Sequence, residues 1–270
     1  MSGFRYCLNS STIKPTPILD KIRIAAEAGY EGIELWHDDM DKFIAEGGTL
    51  EEIRQAVDTA GIEVPTTIML KGWFDTEGDD HAAGMAECER KFQQSAAVGA
   101  PFAVAGPPHG PVDLDQGGRH YAELMELGLK YGVRPAMEYL GFAQELNTIE
   151  AAMEVMDRSG HPEATIILDP FHNHRGGGPM ESIRKLTADQ VAMSHFNDAP
   201  ADPPANEQRD PDRVLPGEGN VDLKKYCDLL REIGYQGWLS LELFRQDLWD
   251  RDPAEVAALG LECMKKAAES

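Results

Sequence analysis

Basic side chains are scarce in this 270-residue chain: 25 lysines and arginines stand against 47 aspartates and glutamates, a formal charge of −22. A surface that acidic repels phosphate backbones and anionic lipid, so neither a nucleic-acid nor a membrane partner is expected. Cysteine is also sparse. Cys7, Cys88, Cys227 and Cys263 lie far apart with no CxxC pair, which points to buried thiols in a reduced, cytoplasmic setting. No apolar run is long enough for a membrane helix, and MSGFRYCLNS lacks the apolar stretch of a signal peptide. The G-x-G-x-x-G fingerprint of a dinucleotide fold is missing as well.

What is present is an alternation of short β-branched runs and helical stripes. Expected strands are Phe4–Leu8, Gly32–Trp36, Val64–Leu70, Phe102–Ala105, Arg134–Tyr139, Thr165–Asp169, Gln190–Phe196 and Trp238–Leu243. Between them fall helical stretches with stop and start signals. Thr16-Pro17 opens one that ends at Gly29, and Thr49-Leu50-Glu51-Glu52 is a capping box for another ending at Gly61. Further helices are expected over Ala82–Val98, Tyr121–Tyr131, Thr148–Arg158, Met180–Leu186 and Asp222–Ile233, with a last one from Pro253. Eight such units predict an α/β fold: a (β/α)8 TIM barrel, single domain, over residues 1–270. The strand ends recur about every 30 residues, except before the last, where Asn197–Gly219 reads as an active-site loop.

The chemistry sits at the carboxyl ends of four consecutive strands, where barrels place their sites. In Leu239-Ser240-Leu241-Glu242-Leu243 the leucines share one face, so Glu242 points with Ser240 into the barrel mouth. The same parity pairs Ala136 with Glu138 and Ile167 with Asp169. Three converging carboxylates repel one another, and none of these strands carries Lys or Arg beside its acid. One divalent metal ion (Mn²⁺, Zn²⁺, Co²⁺ or Mg²⁺), bound by Glu138, Asp169, His195 and Glu242, resolves the repulsion. A single such acid is as often a cap or surface charge; four ligand-type residues ending four strands are not.

Around this centre, His172 either reaches a substrate oxygen or is a structural loop histidine. Arg213 either recognises substrate hydroxyls or forms a surface ion pair. Asp198 either accepts a hydrogen bond from the His195 imidazole or caps a turn. Trp36 and His37, with Trp73 and His109, are candidate pocket walls. His174 is a weaker candidate, and His81, His120 and His161 read as ordinary helix or loop residues.

These residues resemble the xylose-isomerase-like TIM-barrel sugar isomerase/epimerase superfamily, and within it the 2-keto-myo-inositol (inosose) isomerases. The most specific segments are Leu168–His174, Asp212–Gly219 and Leu241–Arg245. The resemblance implies that Glu138, Asp169, His195 and Glu242 hold the metal, that His172 and Arg213 contact substrate oxygens, and that Glu138 and Glu242 double as catalytic acid/base groups. It implies a polyhydroxy-ketone substrate, an enediolate route, and possible assembly as a homo-oligomer. A dehydratase of the 3-dehydroshikimate or inosose type shares the same frame and is the alternative. A DNA-repair nuclease on this barrel is disfavoured by the acidic charge, and a non-catalytic subunit by the complete ligand set. The Gly176–Gly178 run and Pro200–Pro204, which depart from the inosose isomerases, are expected beside the pocket.

Overall fold

A computed structural model describes residues 3–269. Met1, Ser2 and Ser270, at the ends of the predicted 1–270 span, lie outside the described residues. Eight parallel strands close into one barrel in chain order: β1 Arg5–Asn9, β2 Gly32–Trp36, β3 Thr66–Leu70, β4 Phe102–Ala105, β5 Arg134–Met137, β6 Thr165–Leu168, β7 Val191–His195 and β8 Trp238–Leu241. Closure is made by β1 on β8, with Cys7 opposite Ser240 and Leu8 opposite Leu241. Around it run α1 Ile18–Ala28, α2 His37–Ala45, α3 Leu50–Ala60, α4 Gly78–Val98, α5 Leu114–Leu129, α6 Ile149–Ser159, α7 Pro170–Gly176, α8 Leu223–Glu232, α9 Gln246–Trp249 and α10 Pro253–Glu269. No helix among the described residues is long and apolar enough to cross a membrane.

Strand alternation divides the apolar side chains into two cores. Cys7, Ile68, Val104, Ala136, Ile167, Met193 and Trp238 pack inside the barrel. Leu8, Ile33, Leu35, Ile166, Leu168, Leu239 and Leu241 face the helices. The parity expected of β8 holds: Leu239 and Leu241 look outward, and the Ser240 hydroxyl reaches across the interior to Glu34 at 2.8 Å.

Local signals set most helix ends. Thr49 and Glu52 form the expected capping box, and Gly61 terminates α3 in the left-handed conformation, at φ 69°. Three readings are corrected. Pro17 itself occupies the cap of α1, so Thr16 does not; its N–H is spent in a turn on Ile13 O. Helix α5 starts at Leu114, seven residues before the expected Tyr121, because Asp113 accepts from Asp115 N and Gln116 N. Its Gly117 and Gly118 look like breakers in sequence, but a Cβ on Gly117 would stand 2.1 Å from the Phe74 ring. The supposed glycine-rich loop after β6 begins as helix α7, with Asp169 as N-cap and Pro170 at the first position. Gly176–Gly178 ends that helix against Asn147 and Thr148. Neither that run nor Pro200–Pro204 lines the central cavity.

Candidate metal centre and active site

Asp169, His195 and Glu242, just past or at the ends of β6 to β8, bring ligand atoms within 4.8 Å of one another, and Glu138, just past β5, approaches the same imidazole. His195 Nδ1 lies 3.3 Å from Glu138 Oε1, 3.6 Å from Asp169 Oδ2 and 3.2 Å from Glu242 Oε2. All four residues are at most 5 % exposed. The other imidazole nitrogen, Nε2, is 3.2 Å from Glu34 Oε1. Glu34 stays ionised: burial opposes this, but His195 and hydrogen bonds from Thr66 and Ser240 hold its carboxyl below the ordinary value. Nε2 therefore carries a hydrogen that Glu34 accepts, and Nδ1 faces the three carboxylates, with an N–H when the ring is protonated and with a lone pair when a metal ion takes that proton's place.

Glu34 is one of two buried polar residues behind these side chains that the local sequence does not single out. It accepts from Asn9 Nδ2 at 2.7 Å, Ser240 Oγ at 2.8 Å and the Thr66 hydroxyl. Asn9 is the other. Its Nδ2 also donates to Glu242 Oε1 at 3.0 Å, and its Oδ1 accepts from Trp36 Nε1 at 2.9 Å. Asn9 thus ties Glu34, Glu242 and Trp36 together. The parity of Gly32-Ile33-Glu34-Leu35-Trp36, with Ile33 and Leu35 outward, was the signal that points Glu34 inward.

Arg213 is fully buried, not a surface ion pair. Its Nη1 donates to Asp169 Oδ2 and to Glu242 Oε2, each at 2.8 Å, and Nη2 donates to Asp210 Oδ1 at 2.9 Å. The cation missing from the strands thus arrives on the β7–α8 loop. It stacks over Phe171 at 4.9 Å and Phe244 at 5.4 Å. Beside it, His172 accepts from Gly141 N at Nδ1, 3.2 Å, while Nε2 lies 2.9 Å from Arg213 Nη2. Burial, reinforced by Arg213, lowers the His172 pKa and keeps the ring neutral.

Asp198 is corrected. Its carboxylate does not reach His195 but accepts from Ala199, Gly217, Gly219 and Val221 N–H groups at 2.8–3.0 Å. It knots the loop that carries Arg213. His37 is also corrected: it begins α2, fully buried against Gln94 at 2.8 Å and away from the cavity. Trp73 is buried behind the wall, while Trp36 and His109 do line the cavity. His174 takes no part in that lining.

The cavity has a volume of about 420 Å³, with Glu138, Glu242, His172 and Arg213 at its base and Trp36, Phe74, Phe142 and Phe244 among its walls. That is the size of a small-molecule site. The residues suit a divalent cation on their own chemistry. His195 Nδ1 is buried with no hydrogen-bond partner, and it faces carboxylate oxygens. Arg213 Nη1 offsets the charge of Asp169 and Glu242 from one side, and three oxygens with one imidazole nitrogen are a donor set for a first-row divalent ion or Mg²⁺. A proton is the other solution. Burial pulls the His195 pKa down, but Glu242 and Glu34, with Asp169 and Glu138, raise it well above the ordinary value.

An eight-stranded parallel barrel with ionisable groups converging at its carboxyl-terminal rim is a TIM barrel in form and in the placement of its site. The chain belongs to the xylose isomerase-like TIM barrel family, whose model matches residues 22–267. It is 27% identical to an inosose isomerase of Halalkalibacterium halodurans, over 93% of this chain and 92% of the relative. It is 25% identical to a 3-dehydroshikimate dehydratase of Pseudomonas putida, over 90% of this chain and 38% of that longer protein. In structure it is similar to the IOLI protein crystallised with a bound zinc atom, with a TM-score of 0.91 and 23% identity over 98% of each chain.

Proposed function

We propose that this chain is a divalent-metal-dependent isomerase or epimerase of a polyhydroxy ketone of the inosose or keto-sugar kind. The observation that carries the reading is the orphaned His195 Nδ1 facing Glu138, Asp169 and Glu242, of which Glu138 and Glu242 line the cavity. Similarity to an inosose isomerase over nearly the full length supports the substrate class. Glu138, Asp169, His195 and Glu242 would hold the ion. When bound, it polarises a ketone and the neighbouring hydroxyl, which acidifies the α-carbon.

The chain's own groups divide the remaining work. Gly141 N–H occupies His172 Nδ1, which leaves Nε2–H beside the Arg213 guanidinium, two donors facing one another. A substrate oxygen seated there satisfies both. Glu138 lines the cavity with its carboxylate 3.3 Å from His195 Nδ1, and is placed to take the α-proton. Glu242 is held by Arg213 and Asn9. Without an ion, burial, with Glu138 and Glu34, raises its pKa to about 8 against the pull of His195 and Arg213, and Glu242 stands opposite Glu138 as the second group able to carry the proton. Return of that proton to the neighbouring carbon moves the ketone; return to the opposite face inverts a centre.

The test is deuterium uptake from D₂O at the α-carbon of an inosose or ketose, followed by NMR with zinc- or manganese-loaded protein. Glu138→Gln and Glu242→Gln should each slow uptake by about 10²–10⁴-fold, the usual contribution of a positioned acid or base. Exchange unchanged in both variants defeats the reading. The dehydratase alternative, supported by the Pseudomonas putida relative, would instead yield a conjugated enone with strong ultraviolet absorbance.

A further inference from the structure

We propose a second metal site, on the outer wall of the barrel between α4 and α5, in which His81, His120 and Glu123 bind a zinc ion. His81 comes from the first turns of α4; His120 and Glu123, three apart, share one face of α5. One ligand atom from each lies within 4.8 Å of the others. The two imidazoles stack with centroids 3.9 Å apart and planes 25° from parallel.

Hydrogen bonds behind the rings decide which nitrogens are available. His120 Nδ1 is 2.9 Å from Phe74 O. A carbonyl only accepts, so Nδ1 bears the hydrogen and Nε2 keeps its lone pair. His81 Nδ1 is 3.4 Å from Thr76 Oγ1, whose own hydrogen goes to Gly72 O at 2.8 Å. His81 Nε2 is the shorter contact, 3.0 Å from Glu123 Oε2; a carboxylate only accepts, so without an ion Nε2 bears a hydrogen there, and that hydrogen is what a metal would displace. The three ligand atoms are already close enough for one ion to reach all of them. One divalent ion satisfies both nitrogens and the carboxylate together.

Two imidazoles and a carboxylate are a zinc donor set, with a fourth position left for water or a small anion. An acceptor behind each Nδ1 is the arrangement that orients ligating histidines. The site is open to solvent, since the His81 side chain is 17% exposed and that of Glu123 59%. Both supporting acceptors belong to the segment from Gly72 to Thr76, and Gly72, Phe74 and Asp75 of that segment line the central cavity. Zinc on the outer wall would thereby fasten α4 and α5 to one wall of the cavity.

The experiment is a zinc titration of chelator-stripped full-length protein by calorimetry, in wild type, His120→Ala, Glu123→Gln and the barrel variant Asp169→Asn. At micromolar zinc, His120→Ala and Glu123→Gln should each lose one equivalent relative to wild type, or bind it at least tenfold more weakly. Asp169→Asn should retain that equivalent. Glu123 is exposed, so its glutamine variant keeps the fold, and an unchanged titration in it overturns the proposal. So does an equivalent that persists in His120→Ala. If wild type binds a single equivalent that depends on His120 and not on Asp169, this site stands and the barrel-centre reading fails instead.

Discussion

Glutamine at position 34 is nearly isosteric with glutamate, yet it should disable the metal centre from behind. Glu34 receives four donors: Thr66 and His195 on one oxygen, Asn9 and Ser240 on the other. Whichever way the amide is turned, its NH₂ group meets two of them. The hydroxyls can rotate to accept; His195 Nε2–H and Asn9 Nδ2 cannot. If the NH₂ faces His195, the imidazole changes tautomer and presents N–H to Glu138, Asp169 and Glu242. If it faces Asn9, the amide that holds Glu242 loses its anchor. Exchanging a charged acceptor for a neutral one removes about 1 kcal/mol. Loss of the group behind a ligating histidine typically weakens metal binding about 10–100-fold, or about 1.4–2.7 kcal/mol. Zinc affinity measured by competition with a chelator, in a His120→Ala background, reads the barrel centre alone. An affinity within twofold of the parent, with the circular dichroism unchanged, would refute the role given to Glu34.

The other predictions concern charge and loop structure. Arg213→Ala removes the buried cation bridging Asp169 and Glu242, which should cost about 3–5 kcal/mol of stability. Added zinc should then raise the melting temperature more than it does in wild type, because the ion replaces the lost charge. Gly219→Ala puts a Cβ 2.3 Å from both Asp198 Oδ1 and Ala199 O. It should destabilise the loop carrying Arg213 by about 1–3 kcal/mol and raise KM, as steady-state kinetics would show. Burial lowers the His37 pKa from 6.5 to about 4. The unfolded chain therefore binds this proton first as pH falls, and stability is lost from pH 6.5 downward, until the folded ring also protonates near pH 4. The loss between pH 7.5 and 5 is about 2 kcal/mol, and urea unfolding of His37→Gln should show a pH profile flatter by that amount.

Much of the architecture was legible because barrel strands are short, β-branched and bounded by capping signals. Thr49 with Glu52, Gly61, Thr148 and Gly160 mark helix ends by local chemistry alone. The missed starts have a common reason. At Gly117 a breaker is tolerated because Phe74, distant in sequence, fills the space a Cβ would need. At Pro170 a helix starts on an Asp-Pro pair, with Asp169 as its cap, although three glycines close it a few residues later. Glu34 was within reach of the alternation already used for Glu242, but its meaning depended on a histidine 161 residues away.

Residue order alone settled that eight strands would alternate with helices, and that Glu138, Asp169, His195 and Glu242 would fall at the ends of four of them, since periodicity and side-chain parity are local properties. Only the closed barrel decided which groups stand behind those four side chains. Asn9 and Glu34 become partners of Glu242 and His195 through the β1–β8 seam and the barrel interior, and Arg213 reaches Asp169 because Asp198 ties its loop back on itself. The same holds on the outer wall, where His81 and His120 are unremarkable helix positions until α4 packs beside α5. Local sequence can specify where a side chain points, whereas what it meets there is set by contacts between segments that chain connectivity leaves far apart.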